Sequence, residues 1–408
     1  MLLSSNKIAQ IVIFIAAFGG IFIFGKLPIW IALTGLILPF LVLDVLVNRP
    51  KVNRSVLFFL VILVVVSIVN FQHLKLTTAM YSLFLMTVFL FSRQKIERCK
   101  PEFLIGIYRN VILVFFILLI TGLCFYFLLG VNDFPLTRVD VSRGFPRSFG
   151  PTTEPSYAAL TLTIAMLVLC SSVNNTHIEI RLLLFIYIIS IIIIGSGIGY
   201  LACTILLMYI FYAQSLKVFK LEKIAIIISS VMALLFLSDD IERLKPLFDV
   251  LSNILKYDSL WNAFNAFKIA DSSAWFRFGP FFEYLRDMQL SELDNILIGN
   301  GAGTSTSYFG EKYIMHIDPD WFDSDGKPVM DLPFLPAFLY DYGIILTFIL
   351  IYIFKCLIKP LRGSGFFILI ALFIVFNSNF NTSIFWFFVY SLLVINVVQK
   401  KEFVFEKN

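Results

Sequence analysis

Charge is scarce in this chain: only 14% of its 408 residues are Asp, Glu, Lys or Arg, against roughly 25% in soluble globular proteins. A soluble fold cannot hide the 59% that is hydrophobic. Histidine is scarcer still, at three residues: His73, His177 and His316. No Cys/His group has zinc-ligand spacing, so no metal is expected. The five cysteines exclude a disulfide framework, since Cys124, Cys170 and Cys203 lie in apolar runs and none falls in the long polar stretch at 238–334. No Gly-Lys-Ser/Thr follows the glycine-rich stretch at Gly299, which excludes a Walker loop, and no strand–helix unit frames it as a dinucleotide fingerprint. No repeat relates the two halves, as internal-repeat transporters would require. Alternating apolar residues of a membrane β-barrel are also missing.

What is present is a series of apolar blocks. A bilayer core about 30 Å thick takes roughly 20 apolar residues per helix, and backbone groups in lipid must be satisfied within the segment. Twelve spans are expected: Ile8–Phe24, Ile29–Val47, Ser55–Asn70, Leu74–Ser92, Leu104–Gly130, Tyr157–Val173, Leu182–Gly195, Ile198–Ala213, Ile224–Leu237, Leu335–Phe354, Phe366–Phe376 and Ser383–Val398. The first follows Lys7 and has no small-residue cleavage site, so a retained helix is expected rather than a signal peptide. Only Gly195–Gly199 divides the seventh from the eighth, and the eleventh is short enough for a half-inserted helix. The fold class is thus an all-α polytopic membrane protein of about twelve transmembrane helices, with a large helical extracytoplasmic loop between spans nine and ten.

Orientation follows from the basic residues. Arg49, Lys51 and Arg54; Arg93, Lys95, Arg98 and Lys100; Lys217, Lys220 and Lys223; Lys355, Lys359 and Arg362; and Lys400, Lys401 and Lys407 all fall on one side if both termini are cytoplasmic. Three parts result: residues 1–237 with nine spans and a short outer segment at 131–156, an outer loop at 238–334, and residues 335–408 with three spans and a tail. The outer loop has a formal charge of −8 and the remainder +13. Long structureless loops are uncommon. This one, with Trp261, Trp275 and Trp321, is expected to fold, with amphipathic helices at Ser259–Ala270 and Trp275–Gln289.

Candidate chemistry lies in the outer segments. Arg143 and Arg147, in RGFPRSFGPTTEPSYAA, break the positive-inside trend, and a guanidinium there suits a diphosphate. Glu154 opens the sixth span, where a carboxylate is favoured; a plain Arg147–Glu154 pair is the structural alternative. Arg277 and Arg286 lie nine residues apart in WFRFGPFFEYLRD, and Glu283 offers Arg286 a partner. Gly299, Gly301 and Gly303, in IGNGAGTST, permit tight turns and close approach to a ligand. His316 precedes the acids at Asp318, Asp320, Asp323 and Asp325, but Trp321 and Leu332 stand where a calcium loop needs its first and last ligands. A solvated acidic turn accounts for them. Asp331 and Asp341 flank the tenth span; Asp331 is the candidate general base, with a helix cap before Pro333 as the structural alternative.

Taken in order, an Arg and Glu-Pro-Ser motif entering a middle span, an Arg-bearing outer loop, a Gly-x-Gly-x-Gly turn, and a span containing Tyr-Gly resemble the O-antigen polymerase (Wzy-type) and O-antigen ligase superfamily. The resemblance runs from Arg143 to Gly343. It implies a GT-C-like bundle in a bacterial cytoplasmic membrane that polymerises oligosaccharide repeat units on undecaprenyl diphosphate, for O-antigen, capsule or exopolysaccharide. It implies lipid partners, a chain-length regulator and a flippase as companions, no cofactor and no nucleic acid. Arg147 matches the arginine before the Pro-containing span, Arg277 the one upstream of the turn, and the three glycines the turn itself. Arg147 and Arg277 would then face the diphosphate, with Arg143, Arg286, the glycines and His316 binding substrate and Asp331, Glu154 or His316 taking a proton. Two departures stand out. Leu332-Pro333 occupies the place of the ligases' His-Asn, and the polymerases' Arg-x10-Gly pattern is missing. A ligase and a lipid-linked oligosaccharide flippase are the alternatives.

Overall fold

The computed structural model describes residues 4–19, 22–23, 27–48, 54–134, 136–141, 146–171, 177–213, 253, 262, 266, 272–288, 291–312 and 332–405. The chain is mostly helical. Along its first part run α1 (Ser5–Ala17), α2 (Ile29–Asn48), α3 (Arg54–Val69), α4 (Leu76–Arg98), α5 (Pro101–Leu129), α6 (Pro155–Cys170), α7 (His177–Ile194) and α8 (Gly197–Ala213). Then come α9 (Ser272–Asp287), α10 (Leu293–Ile298) and α11 (Thr304–Lys312), followed by α12 (Phe334–Ile358), α13 (Ser364–Asn377) and α14 (Ser383–Phe405). Among the described residues four helices are long and apolar enough to cross a membrane: α4, α5, α12 and the Ser383–Lys400 part of α14. The chain is therefore a helical membrane protein. Most of the other apolar helices are shorter, 10–17 residues.

Each expected span but one overlaps a helix; Ile224–Leu237 lies outside the described residues, as does most of Ser259–Ala270. The first helix stops at Ala17, seven residues short of the expected end. Gly19 and Gly20 follow it, and glycine costs about 1 kcal/mol per helical position relative to alanine. A short hairpin, β1 (Phe22–Ile23) against β2 (Leu27–Pro28), takes the chain into α2 instead. Gly195, with φ +58°, ends α7, and α8 restarts at Gly197, so the seventh and eighth spans are separate helices. In α5, Pro101 sits at the first turn and Gly130, in left-handed geometry, closes the last.

At the centre stands α6, whose side chains from Ala158 to Cys170 are all buried. A helix that is apolar on every side belongs in the interior, and α6 packs on α5, α7, α8 and α14. Hydroxyl pairs join the helices: Thr163 with Tyr187 at 2.8 Å, Ser171 with Tyr209 at 3.0 Å, Tyr108 with Ser391 at 2.9 Å, and Tyr342 donating to Ser82 at 2.9 Å. Helices meeting in an apolar medium use such bonds as local attachments.

Short turns join α3 to α4, α4 to α5, α7 to α8, α12 to α13 and α13 to α14, giving the bundle two distinct ends. At one end the α3–α4 turn, the start of α12 and the α13–α14 turn meet. Asn70 and Lys75 bond to residues 299 and 302, Phe334 lies 5.9 Å from Phe380, and Ser82 donates to Asn381. The segment α9–α11 covers this end, which we call the capped end. The opposite, basic end carries Lys95 and Arg98 at the close of α4 and Lys355 and Lys359 at the close of α12. There Tyr209 of α8 packs edge-on against Phe366 and Phe367 of α13.

Candidate functional site

The capped end is built around Asp341. Helix α12 is broken at Gly343, where φ is +74° and ψ 179°. Just ahead of the break, the carbonyls of Tyr340 and Asp341 accept from the backbone N–H groups of Asn300 (2.9 Å) and Gly301 (3.0 Å). The Asp341 side chain, 6% exposed, accepts from the N–H of Gly303 and of Ser305, each at 2.8 Å, and from the Thr304 hydroxyl at 3.3 Å. A carboxylate on one helix thus caps the N-terminus of another, α11, where unpaired N–H groups and the helix dipole favour negative charge.

Gly299, Gly301 and Gly303 all have positive φ, at +81°, +105° and +78°. Their close approach is to the protein's own backbone. A Cβ on Gly299 would sit 2.4 Å from the Asp341 carbonyl oxygen, and one on Gly343 would sit 2.4 Å from that of Leu297. From the other side Asn70 Nδ2 donates to the Gly299 carbonyl at 3.2 Å, and the Lys75 N–H donates to Ala302 at 2.8 Å. Lys75 Nζ bonds Thr306 and Ser307 at 3.1 and 2.9 Å. The glycine turn is a joint, locked between α12 and the α3–α4 turn.

Beside the joint lies a polar cluster. Asp287, at the end of α9, pairs with Arg286 (3.2 Å) and Lys312 and accepts from the Tyr308 hydroxyl at 2.6 Å. Burial pushes its carboxyl up, but the Lys312 and Tyr308 hydrogen bonds, the Lys312 charge and Arg286 outweigh that and hold it below the usual carboxylate range. Burial, then the bond to Asp287, pushes the Tyr308 phenol well above its ordinary value. Tyr308 stacks on Tyr340 at 4.5 Å. Trp275, Tyr284, Phe309, Leu332 and Ala337 form a small apolar core under the cluster. Arg277 is half-buried on α9, with no ion pair among the described residues.

Arg147 lies elsewhere at this end. It belongs to β5 (Arg147–Ser148), which pairs with β4 (Thr137–Asp140), itself paired with β3 (Asp133–Phe134). The sheet lies on α5 because Gly122 leaves room for it: a Cβ there would meet Thr137 Oγ1 at 2.4 Å. Arg147 is 5% exposed and pairs with Asp140, directly opposite in the ladder, and donates to the Gly195 carbonyl at 3.4 Å. Its Nε is buried without a partner among the described residues. The partner is thus Asp140 rather than Glu154. Glu154 is the residue before α6; its side chain is exposed, gives the helix no side-chain cap, and accepts from the Ser156 hydroxyl at 3.0 Å.

The structure joins the three glycines to Asp341, and Arg286 to Asp287. It does not join Arg147 to Arg277: β5 packs on α5 and α7, and α9 on α12 and α13. Arg143, His316 and Asp331, and the acidic run from Asp318 to Asp325, lie outside the described residues. Among the described residues no group of His, Cys, Asp and Glu could hold a metal ion. Sequence reasoning missed Asp140, Asp287, Asn70 and Lys75 as partners, and placed Asp341 at a membrane boundary without its role. No protein-family model matches the chain, nor does any curated protein.

Proposed function

We propose that the chain is a membrane glycosyltransferase that polymerises oligosaccharide repeat units carried on a polyisoprenyl diphosphate, with the capped end as its extracytoplasmic working face. The observation that carries this reading is the pairing of a fixed polar cap with a lipid-sized groove. An apolar groove of about 620 Å³ runs between α12, α13 and α14, from Phe334 and Leu335 at the capped end to Lys355 and Lys359 at the basic end. A lipid tail seated there would present its diphosphate and sugars to the cap. The fixed attachment of the cap to α3, α4 and α12 also favours an enzyme over a flippase, whose cycle moves one helical unit against another.

In the proposed reaction an acceptor hydroxyl oxygen attacks the anomeric carbon of the donor sugar. The bond from that carbon to the phosphate oxygen breaks, and the lipid diphosphate leaves with the electron pair. Asp331, or in its place Glu154 or His316, takes the hydroxyl proton. Arg277, and Arg147, which stands apart from it on β5, converge on the leaving diphosphate when substrate binds, an electrostatic role worth about 3 kcal/mol per donor. For Arg147, buried with its Nε and paired with Asp140, this means turning from that carboxylate to the phosphate.

The test is substitution by lysine, which keeps charge but loses the planar fork. Arg147→Lys and Arg277→Lys are each expected to shorten the glycan polymer severely, seen by gel, with membrane protein at its normal level. Normal-length polymer in both variants ends the proposal. Lysine tolerated at 147, with alanine lowering protein level and polymer together, would reduce Arg147 to the structural partner of Asp140.

A further inference from the structure

Between α9, α10, α11 and the first turns of α12 lies a cavity of about 70 Å³, which the chemistry above leaves unused. We infer that it is a subsite for the acetamido group of an N-acetylated amino sugar, an inference that rests on the glycan-polymerising reading. The juxtaposition that supports it is a set of neutral amides facing stacked phenols across a space the size of one substituent.

Asn295 lines the cavity, and its carboxamide has no hydrogen bond among the described residues. Asn300 lines it too; its Nδ2 is fixed by donation to the Tyr340 carbonyl at 3.2 Å, and its Oδ1 has no partner among the described residues. An acetamido group brings one N–H donor, one carbonyl acceptor and a methyl. Asn300 Oδ1 suits the donor, Asn295 Nδ2 suits the acceptor, and Ile296 with the Tyr308–Tyr340 stack offers apolar surface for the methyl. Charge argues for a neutral guest. No Lys or Arg stands among the described lining residues to receive the carboxylate of a uronic acid, whereas Asp287 does line the cavity. Its charge is already met by Lys312 and Arg286, so the ammonium of an unacetylated amino sugar gains little. Removing a polar partner from a site built to pair with one discriminates strongly against the analogue that lacks it.

The experiment uses the full chain in nanodiscs and saturation-transfer NMR, with methyl N-acetylglucosaminide and methyl glucoside as probes. Transfer is expected to the acetyl methyl of the first and to be weak for the second. Asn295→Leu is expected to raise the Kd for the acetylated probe about tenfold, and Ile296→Trp, which fills the cavity, to abolish binding while the thermal unfolding midpoint is retained. Equal transfer to both probes, no transfer to the acetyl methyl, or binding unchanged in both variants overturns the assignment and leaves a cavity for water alone. The readout does not depend on turnover. Arg277→Lys is expected to leave it unchanged, so loss of polymerisation and loss of the subsite are separable.

Discussion

The centre of the bundle and its capped end are held together in different ways. Around α6, order comes from apolar side chains filling space on every side, and the hydroxyl pairs merely decorate the contact. At the cap, the contact is backbone against backbone, with three positive-φ glycines in the turn and a fourth in the helix it meets. The first mode depends on volume, which many residues can supply. The second depends on the absence of a side chain and on particular donors and acceptors. A membrane bundle can accept substitution widely in its interior and still fail at one turn on its surface.

The largest expected effect breaks the second mode. Gly343→Ala or Gly299→Ala combines left-handed backbone with a Cβ 2.4 Å from a carbonyl oxygen. Together these should cost at least about 3 kcal/mol. Gly106→Ala, in α5 with nothing within 4 Å, is the control. Membrane protein level should collapse for the first two and hold for the third; equal levels would show that the joint yields. Next comes the acid limb of the Asp287 cluster. Its carboxyl is held low in the folded protein, so its contribution is present above the ordinary carboxylate value and is lost as pH falls through the lowered one. The part of the amide-exchange protection at 308–312 that depends on Asp287, read as the difference from Asp287→Asn, should therefore stay flat from pH 8 to about 5 and fall below about 4. Asp287→Asn should remove that limb. An acid limb below about 4 that survives in Asp287→Asn would contradict the cluster. Smallest is Tyr187→Phe, which removes the bond to Thr163 at the centre. About 0.6 kcal/mol is expected, read as a shift of a degree or two in the unfolding midpoint. A large loss would mean that the centre, too, relies on directed bonds.

The apolar helices were readable from the sequence because each is an apolar run, whereas the stop at Gly19, inside the expected first span, was not read there although it follows from glycine's helix cost. The joint was half readable. The turn at Gly299, Gly301 and Gly303 announces close approach, but what it approaches is set by Gly343, forty-odd positions on, and no local pattern connects the two. A ligand and a neighbouring helix make the same demand on a glycine. Arg147 was singled out because it stood against the charge trend. Its partner was obscured because strands of two to four residues are too short to show alternation, so Asp140, seven residues before Arg147, looked no nearer than Glu154, seven after. The Asp287 cluster draws on Tyr308 and Lys312 from another helix, a convergence only the folded chain displays.

The joint at Gly343 also constrains the order of assembly. Ribosomes deliver the glycine turn before the helix that receives it. When residue 303 emerges, Asn70 and Lys75 are already in place, but the carbonyls of Tyr340 and Asp341 and the Asp341 carboxylate do not yet exist. The N–H groups of Asn300, Gly301, Gly303 and Ser305 lack these acceptors until α12 is made. Closure of the cap thereby follows the synthesis of α12 and reports that this helix has arrived in register. A chain halted before Phe334 would hold α10 and α11 by one side only, through Asn70 and Lys75.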